Sequence, residues 1–317
     1  MPTLTTSNVD INYRDSGPRG GHAVLLIHGW PDDASTWDEV TLQLNEAGLR
    51  TIVSTLRGFG ETRVHEGAGR TGNSAVLAMD MIALMDGLNV EGFMVAGHDW
   101  GSNTAEAMAV GWPDRVERMA MLATPSRLGG MPTPPFGQAQ LDWYHWFMAT
   151  ARGAVAVADD RRSFAHIHWV NWSPPGWFAE TTFDRVAHSF KNPDWVDVTL
   201  HSYRARWDEA KPDPDSQWLE DKFKATSTLS LPTMYFQGAV GRWMNHNFAK
   251  YHAPANADID VIEVIFVDEP DPEVTPLGVK GLGEIGIVGT AAAVANAIYH
   301  ATGKRVRSLP ITIDKLL

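Results

Sequence analysis

Short runs of apolar residues alternate along the first 125 residues with longer segments in which apolar residues recur at helical spacing. The runs have the length of strands that are buried on both faces of a sheet. They are residues 23–27, 49–55, 93–97 and 116–123. Segments 36–47 and 74–88 have helical spacing and lie between these runs. Strands that alternate with helices of this length predict βαβ units, and therefore an α/β fold with a mostly parallel sheet.

The pattern changes after residue 125. A stretch rich in Gly and Pro at 129–135 opens a segment that is helical in pattern to about residue 225 and that contains eight of the 13 Trp residues. Sheet-like sequence resumes near residue 231. We therefore predict four parts: a core over 1–125, an inserted helical cap over 126–225, a further core strand within 226–240, and a tail over 241–317.

Composition removes several classes of function. The net charge is −12, and no run of Lys or Arg is longer than two residues, which argues against a nucleic-acid partner. The absence of Cys excludes disulfides, thiolate nucleophiles and iron–sulfur clusters. No apolar run approaches the ~20 residues of a membrane helix, and residues 1–6 lack the features of a signal peptide. We expect a cytoplasmic protein without membrane contact, metal or other cofactor.

One turn carries the chemistry that the sequence predicts. The run at 93–97 leads into Gly97-His98-Asp99-Trp100-Gly101, and residues 103–110 have the composition of a helix. A sharp strand–turn–helix connection with small residues around a central one is the pattern of a nucleophile elbow, G-x-Nu-x-G. Asp99 occupies the nucleophile position. With its ordinary pKa of about 3.9, an Asp is ionised near neutral pH and can attack an electrophilic carbon without a base.

Two further features make this pattern specific. His28-Gly29-Trp30-Pro31 follows an earlier strand, and the helical cap follows the strand after the elbow. Together, residues 1–240 resemble the α/β-hydrolase fold, in the branch with an Asp nucleophile that includes epoxide hydrolases and haloalkane dehalogenases. The resemblance implies that Asp99 forms an alkyl ester with the substrate. It also implies that the backbone N–H groups of Trp30 and Trp100 bind the oxyanion when a His-activated water hydrolyses the ester.

The cap offers candidates for protonating an epoxide oxygen. The sequence Leu200-His201-Ser202-Tyr203-Arg204 resembles the second cap-tyrosine motif of epoxide hydrolases, which makes Tyr203 the predicted proton donor. Residues 142–147 resemble the first motif, but the register allows either Trp143 or Tyr144 at the family position; we take Tyr144 as a possible donor. Both tyrosines could instead be packing residues. Dehalogenases usually carry Asn at the position of Trp30, which favours an epoxide over a halide.

The sequence departs from this family where the remaining catalytic residues are expected. Residues 238–243, after the predicted strand near 234–237, contain no acid. Thr124-Pro125-Ser126 stands at the alternative acid position that some dehalogenases use. The His residues beyond this point are His246, His252 and His300, and none lies in a recognisable catalytic turn. We therefore expect the second half of the reaction to be impaired.

The tail resembles a different family. Pro276-Leu277-Gly278-Val279-Lys280-Gly281-Leu282-Gly283-Glu284 and residues 299–304 resemble the C-terminus of the molybdenum-binding subunit of the xanthine dehydrogenase and aldehyde oxidase family. Glu284 matches the general base of that family. The cofactor-binding body of that subunit has no counterpart in this chain, so we expect no molybdenum chemistry. The tail's own pattern predicts a strand at 261–267 and a helix at 289–301.

These observations lead to one principal hypothesis and two rivals. The principal hypothesis is an epoxide hydrolase-like α/β-hydrolase that acts on a small apolar molecule and turns over slowly or not at all. Its C-terminal strand and helices are replaced by the foreign-looking tail. One rival is a haloalkane dehalogenase-like hydrolase, and the other is a catalytically inactive fusion or binding protein. The sequence makes no prediction of the oligomeric state.

Overall fold

The computed structural model describes residues 1–130 and 133–236, together with Tyr299 and Gly303. The chain divides into two compact units, Met1–Ala253 and Pro254–Leu317. The elements given below all belong to the first unit. The strand predicted at 261–267, the helix predicted at 289–301, Glu284 and the three C-terminal His residues lie outside the described residues.

The described residues contain one eight-stranded sheet. Its strands in chain order are β1 (Thr3–Thr5), β2 (Val9–Ser16), β3 (Ala23–Ile27), β4 (Arg50–Ser54), β5 (Arg63–Val64), β6 (Phe93–His98), β7 (Val116–Leu122) and β8 (Thr233–Phe236). The spatial order is β1-β2-β4-β3-β6-β7-β8, and β5 pairs with β2. Strands β4, β3, β6, β7 and β8 run parallel, whereas β1, β2 and β5 pair in antiparallel fashion. The predicted α/β fold with a mostly parallel sheet is confirmed.

Helices cover the sheet and form the segment between β7 and β8. Those that follow strands of the core are α1 (Asp38–Glu46), α2 (Ser74–Gly87) and α3 (Trp100–Gly111). Between β7 and β8 the described residues form helices without a strand: α4 (Phe136–Leu141), α5 (Trp143–Ala149), α6 (Ala151–Asp159), α7 (Arg161–Trp172), α8 (Glu180–Ala187), α9 (Trp195–Ala205) and α10 (Gln217–Ala225). No helix in this described part of the chain is both long and apolar enough to cross a bilayer.

Burial explains why these segments form these elements. All five residues of β3 are buried, as its continuous apolar run predicts. Nine of the 14 residues of α2 are buried, including residues on successive turns, and α2 packs against α3. Because the central strands are parallel, the carboxyl ends of β3, β6 and β7 lie at one edge of the sheet. The predicted elbow and the loop that contains Trp30 therefore meet at this edge.

Candidate active site

The elbow is a strained turn between β6 and α3. Strand β6 ends at His98, α3 begins at Trp100, and Asp99 between them has φ 52° and ψ −112°. This backbone conformation has a positive φ but lies outside the left-handed helical region that Asp and Asn tolerate. A non-Gly residue in such a conformation costs of order 1–3 kcal/mol. A preference of Asp for left-handed turns therefore does not explain why Asp occupies position 99.

Neighbouring glycines allow this turn to form. A Cβ on Gly97 would lie 2.0 Å from the carbonyl oxygen of Gly101, and one on Gly101 would lie 2.1 Å from the carbonyl oxygen of Ile27. A Cβ on Gly29 would lie 2.5 Å from Cβ of Asp99. Each distance is too short for any side chain larger than hydrogen. The G-x-Nu-x-G pattern and the Gly of the His28–Pro31 loop thus reflect close approaches around Asp99.

Hydrogen bonds from β7 and α3 hold the elbow in place. The backbone N–H of Asp99 donates to the carbonyl oxygen of Leu122, the last residue of β7, across 3.0 Å. The hydroxyl oxygen of Ser102 lies 2.5 Å from the carbonyl oxygen of Gly97 and accepts the N–H of Leu122 across 2.8 Å. These bonds join both sides of the turn to the neighbouring strand. The position of the Asp99 carboxyl group is therefore fixed by the core of the sheet.

The Asp99 carboxyl group is buried and accepts backbone hydrogen bonds. Asp99 is 7% exposed. Its Oδ1 accepts the backbone N–H of Trp30 across 2.8 Å, and the backbone N–H of Trp100 also donates to this carboxyl group. Burial raises the pKa of Asp99, while these N–H groups and the charges of Arg206 and Arg127 act in the opposite direction. The expectation of an ordinary Asp pKa is therefore wrong, because the sequence pattern does not report how completely the side chain is desolvated.

His28 orients the loop that supplies the Trp30 N–H. Its Nε2 accepts the N–H of Leu56 across 3.1 Å, so the neutral ring carries its proton on Nδ1, which donates to the carbonyl oxygen of Gly29 across 3.0 Å. Burial lowers the pKa of His28 to about 4. The indole N–H of Trp30 donates to Oγ1 of Thr199 in the cap across 3.2 Å. The loop is thus fixed to both the core and the cap.

Both candidate tyrosines lie against the Trp30 ring. Tyr203 on α9 is buried, and its ring centroid is 5.1 Å from that of Trp30; Tyr144 on α5 stacks on Trp30 at 5.9 Å. Tyr144 is 7% exposed, whereas Trp143 is 40% exposed, so Tyr144 is the residue of this pair that faces the elbow region. Burial raises the pKa of both phenols, and the Asp99 charge adds to the increase. Both hydroxyls therefore remain protonated and able to donate.

Three polar residues near this site have no role in the sequence prediction. His145 on α5 has its ring centroid 4.7 Å from that of Tyr203, and burial lowers its pKa well below the usual range. Arg206 follows α9, with its guanidinium carbon 5.1 Å from the centre of the Tyr203 ring. Arg127 lies in the loop after β7, where burial and Arg206 lower its pKa to about 9. Only Arg206 has a sequence signal, because its spacing of three from Tyr203 predicts a shared helix face.

The described residues supply neither a catalytic His nor a catalytic acid at the expected family positions. Thr124 follows β7, and β8 ends at Phe236, after which residues 237–253 lie outside the described part of the first unit. Within the described residues, no group of three or more His, Asp or Glu side chains could hold a metal ion. The cap residues His166 and His201 have ordinary partners, Glu180 and the carbonyl oxygen of Lys211.

Comparison with known proteins identifies the first unit. Residues 22–253 match the family model of the alpha/beta hydrolase fold. A solved structure of a putative epoxide hydrolase from Klebsiella pneumoniae is 34% identical, with a TM-score of 0.72, and the match covers 76% of this chain and 81% of that one. Epoxide hydrolase 2 of Siraitia grosvenorii is 31% identical over 121 residues, which are 38% of this chain and 37% of that protein.

The resemblance of the tail is also confirmed. A segment of 78 residues is 54% identical to the molybdenum-binding subunit of aldehyde oxidoreductase from Escherichia coli strain K12. This segment is 25% of the chain but only 11% of that subunit. The matched segments thus span far less than two thirds of the length of either curated relative, the epoxide hydrolase or the molybdenum-binding subunit. A segment that is 11% of the subunit gives no basis for a reaction step that uses its metal. Over most of its length, the chain belongs to the alpha/beta hydrolase fold family and is similar to epoxide hydrolases.

Proposed function

We propose that Asp99 opens a small epoxide by nucleophilic attack and becomes alkylated. The observation that carries this proposal is the buried Asp99 carboxyl group, which accepts the Trp30 N–H across 2.8 Å, beneath two buried cap tyrosines. A nucleophile that is already oriented by backbone donors avoids part of the ordering cost of the reaction. The similarity to epoxide hydrolases supports this choice of electrophile.

The first step is ring opening, and it uses only side chains of this site. A carboxylate oxygen of Asp99 forms a bond to one ring carbon, and the bond between that carbon and the ring oxygen breaks. The electron pair stays on the ring oxygen, which takes a proton from the hydroxyl of Tyr203. The ring centroid of Tyr144 lies 5.4 Å from that of Tyr203. The product is a hydroxyalkyl ester on Asp99 and a phenolate that water reprotonates.

The second step is hydrolysis of this ester, and we propose that it is slow. Water attacks the ester carbonyl, and the N–H groups of Trp30 and Trp100 point to the same carboxyl group and can bind the oxyanion that forms. Activation of this water by a general base typically contributes 10²–10⁴-fold. Residues 238–243 lack an acid, and none of the cap histidines described above lies in a catalytic turn. The ester should therefore accumulate.

Two features of the site favour an epoxide over a halide substrate. The Trp30 indole N–H, which replaces the Asn of dehalogenases, already donates to Thr199 and is not available to a leaving halide. The two tyrosine hydroxyls provide protons that an alkoxide needs and a halide does not. The aromatic surroundings of Trp30 suit a small substrate with an apolar body. A cytoplasmic location stays a prediction.

Intact-mass measurement after incubation with styrene oxide tests this function. The expected result is one added mass of the epoxide on the unmodified protein and none on Asp99→Asn. The exposed Asp114, in the loop between α3 and β7, provides a matched control, and Asp114→Asn should be labelled like the unmodified protein. Labelling of Asp99→Asn to the same extent, or no labelling of any variant, would favour the inactive binding protein instead.

A further inference from the structure

Tyr203, the proton donor proposed above, is enclosed by aromatic rings. The residue is 1% exposed. Between ring centroids it lies 5.1 Å from Trp30, 5.6 Å from Trp100, 5.4 Å from Tyr144 and 4.7 Å from His145. Such surroundings accommodate a neutral phenol and disfavour a phenolate, because they offer little solvation to a charge. Transfer of the Tyr203 proton to an epoxide oxygen therefore leaves a charge that these rings do not solvate.

A cation lies against the same ring. The guanidinium carbon of Arg206 is 5.1 Å from the centre of the Tyr203 ring, within the distance of about 6 Å at which a cation is attracted to an aromatic face. Arg206 follows the last residue of α9 with a helical backbone, φ −58° and ψ −31°. Because residues three apart lie on the same face of a helix, this backbone keeps the two side chains together.

The Arg206 side chain has no described acceptor that explains its position. Its Nε is buried and has no hydrogen-bond partner among the residues that the structure describes. A buried donor of a charged group is costly to leave unpaired. Within the described part of the chain, the contact with the Tyr203 ring is thus the interaction that holds this cation beside the site.

The negative charge of the site moves during ring opening, and Arg206 affects it at both positions. Before attack the charge is on Asp99; afterwards Asp99 is an ester and the charge is on the Tyr203 oxygen. Burial raises the pKa of both groups, and the Arg206 charge acts in the opposite direction on each. The Asp99 charge also raises the pKa of Tyr203, and this effect ends when Asp99 is alkylated. Proton release from Tyr203 therefore becomes easier as the ester forms.

The other titratable groups that face Tyr203 provide no positive charge. Tyr144 and His145 face it from α5, and Asp99 faces it from the elbow. Burial raises the pKa of Tyr144 and lowers that of His145 well below its usual range, so both are neutral near pH 7. Asp99 is neutral once it is alkylated. Of these described neighbours, Arg206 is the one that carries a positive charge after ring opening.

We propose that Arg206 is a positioning residue for ring opening, which stabilises the Tyr203 phenolate by lying over its ring. The proton passes from the Tyr203 hydroxyl to the epoxide oxygen, which keeps the electron pair of the broken carbon–oxygen bond. Arg206 acts through Tyr203 and not on the epoxide itself. An interaction that strengthens as the phenolate forms accelerates this step. This inference rests on the proposed function.

Two electrophiles separate this role from simple packing. Styrene oxide needs a proton on its leaving oxygen, whereas benzyl bromide, which is similar in size, loses bromide without one. At pH 8 we expect Arg206→Met to slow alkylation of Asp99 by styrene oxide at least about tenfold and to change the rate with benzyl bromide less than about twofold. Arg206→Lys keeps the charge and should recover part of the loss. Arg152→Met, on the exposed face of α6, is the matched control and should change neither rate.

Titration of the phenol tests the contact without any reaction. A fluorinated tyrosine at position 203 ionises at lower pH than tyrosine, so that its ionisation can be followed by absorbance in the full chain. We expect Arg206→Met to raise the pKa of this phenol by at least about 1, since a nearby cation favours the charged form. Arg206→Lys should raise it less, and Arg152→Met should leave it unchanged. Arg206→Gln provides a second uncharged variant if Arg206→Met does not fold.

The outcomes distinguish this role from the proposed function. An unchanged phenol pKa without the Arg206 charge would overturn the proposal. Equal slowing of the reactions with both electrophiles, without recovery in Arg206→Lys, would show that Arg206 only packs against the ring. Labelling of Asp99 by styrene oxide at the same rate in Arg206→Met and in the unmodified protein refutes the role of Arg206 alone. A phenol pKa that depends on Arg206, without labelling of Asp99 by any epoxide, refutes the proposed function alone.

Discussion

The backbone N–H of Trp30 donates to Oδ1 of Asp99 across 2.8 Å, although 69 residues separate them. The close approach of Gly29 to Asp99 makes this bond possible, because a Cβ there would lie 2.5 Å from Cβ of Asp99. The bond holds the carboxyl group before a substrate arrives. The same N–H can later bind the oxyanion of the ester. One contact therefore serves both the positioning of the nucleophile and the proposed chemistry.

Replacing Gly29 with Ala should damage the site more than the fold. The added methyl group must displace Asp99 or the Trp30 loop, and such overpacking costs typically 1–3 kcal/mol. We expect a lower urea midpoint and a rate of alkylation by styrene oxide that falls at least about tenfold. Gly20→Ala is the matched control, since a Cβ on Gly20 meets no atom within 4 Å. An alkylation rate unchanged in Gly29→Ala would show that the contact does not position the carboxylate.

Ionisation of Asp99 at neutral pH should lower the free energy of unfolding. The group has its ordinary pKa of about 3.9 in the unfolded chain, and burial raises the pKa in the folded protein. The folded protein therefore binds more protons between these two pKa values, and stability is lost as pH rises through the folded pKa. Asp99→Asn should have a higher Tm than the unmodified protein at pH 8, and the difference should shrink as pH falls toward 4. A difference that grows on acidification would contradict a raised pKa.

Loss of the cap hydroxyls should slow ring opening. General-acid help contributes typically 10²–10⁴-fold, so we expect Tyr203→Phe to reduce the alkylation rate at least about tenfold and the Tyr203→Phe/Tyr144→Phe pair to reduce it further. The rate should not fall between pH 8 and 10, because burial raises the pKa of Tyr203 well above its usual value. Tyr13→Phe in β2 controls for loss of a hydroxyl elsewhere. If the Tyr203→Phe/Tyr144→Phe pair reacts as fast as the control, both tyrosines are packing residues.

The ion pair of Arg57 and Asp80 should dominate the stability of the loop after β4. Nε and Nη2 of Arg57 donate to the two oxygens of Asp80, each across 2.6 Å, and both side chains are buried. Arg57→Met leaves an unpaired buried carboxylate and should cost about 3–5 kcal/mol in urea unfolding. The Arg57→Met/Asp80→Leu double variant should recover much of this loss. Arg162→Met removes an exposed pair with Asp184 and should cost less than about 1 kcal/mol.

Short sequence patterns were sufficient to predict strand β3 and the turn around Asp99. The apolar run of β3 and the glycines around Asp99 follow from burial and from close backbone approach, and both are readable in the sequence. The choice between Trp143 and Tyr144 required the packing of α5, which turns Tyr144 toward Trp30. The pKa of Asp99 also required tertiary structure, because desolvation depends on the cap that covers it.

The cluster of Arg127, His145 and Arg206 could not be predicted for a related reason. These residues come from the loop after β7, from α5 and from the end of α9, and only the folded cap brings their charges together. No spacing rule connects positions so far apart in the chain. The tail is the opposite case: its motifs were specific enough to identify its resemblance, while its residues lie beyond the described fold.

The fate of the ester on Asp99 tests the central claim most directly. The protein is treated with styrene oxide, the excess epoxide is removed by rapid gel filtration, and the peptide that contains Asp99 is followed by mass spectrometry. A nucleophile without its usual base should keep the added mass for hours, with the modification on Asp99 and little free diol. Release of the diol within seconds, with return of the unmodified peptide, would contradict the account and require a catalytic base elsewhere in the chain.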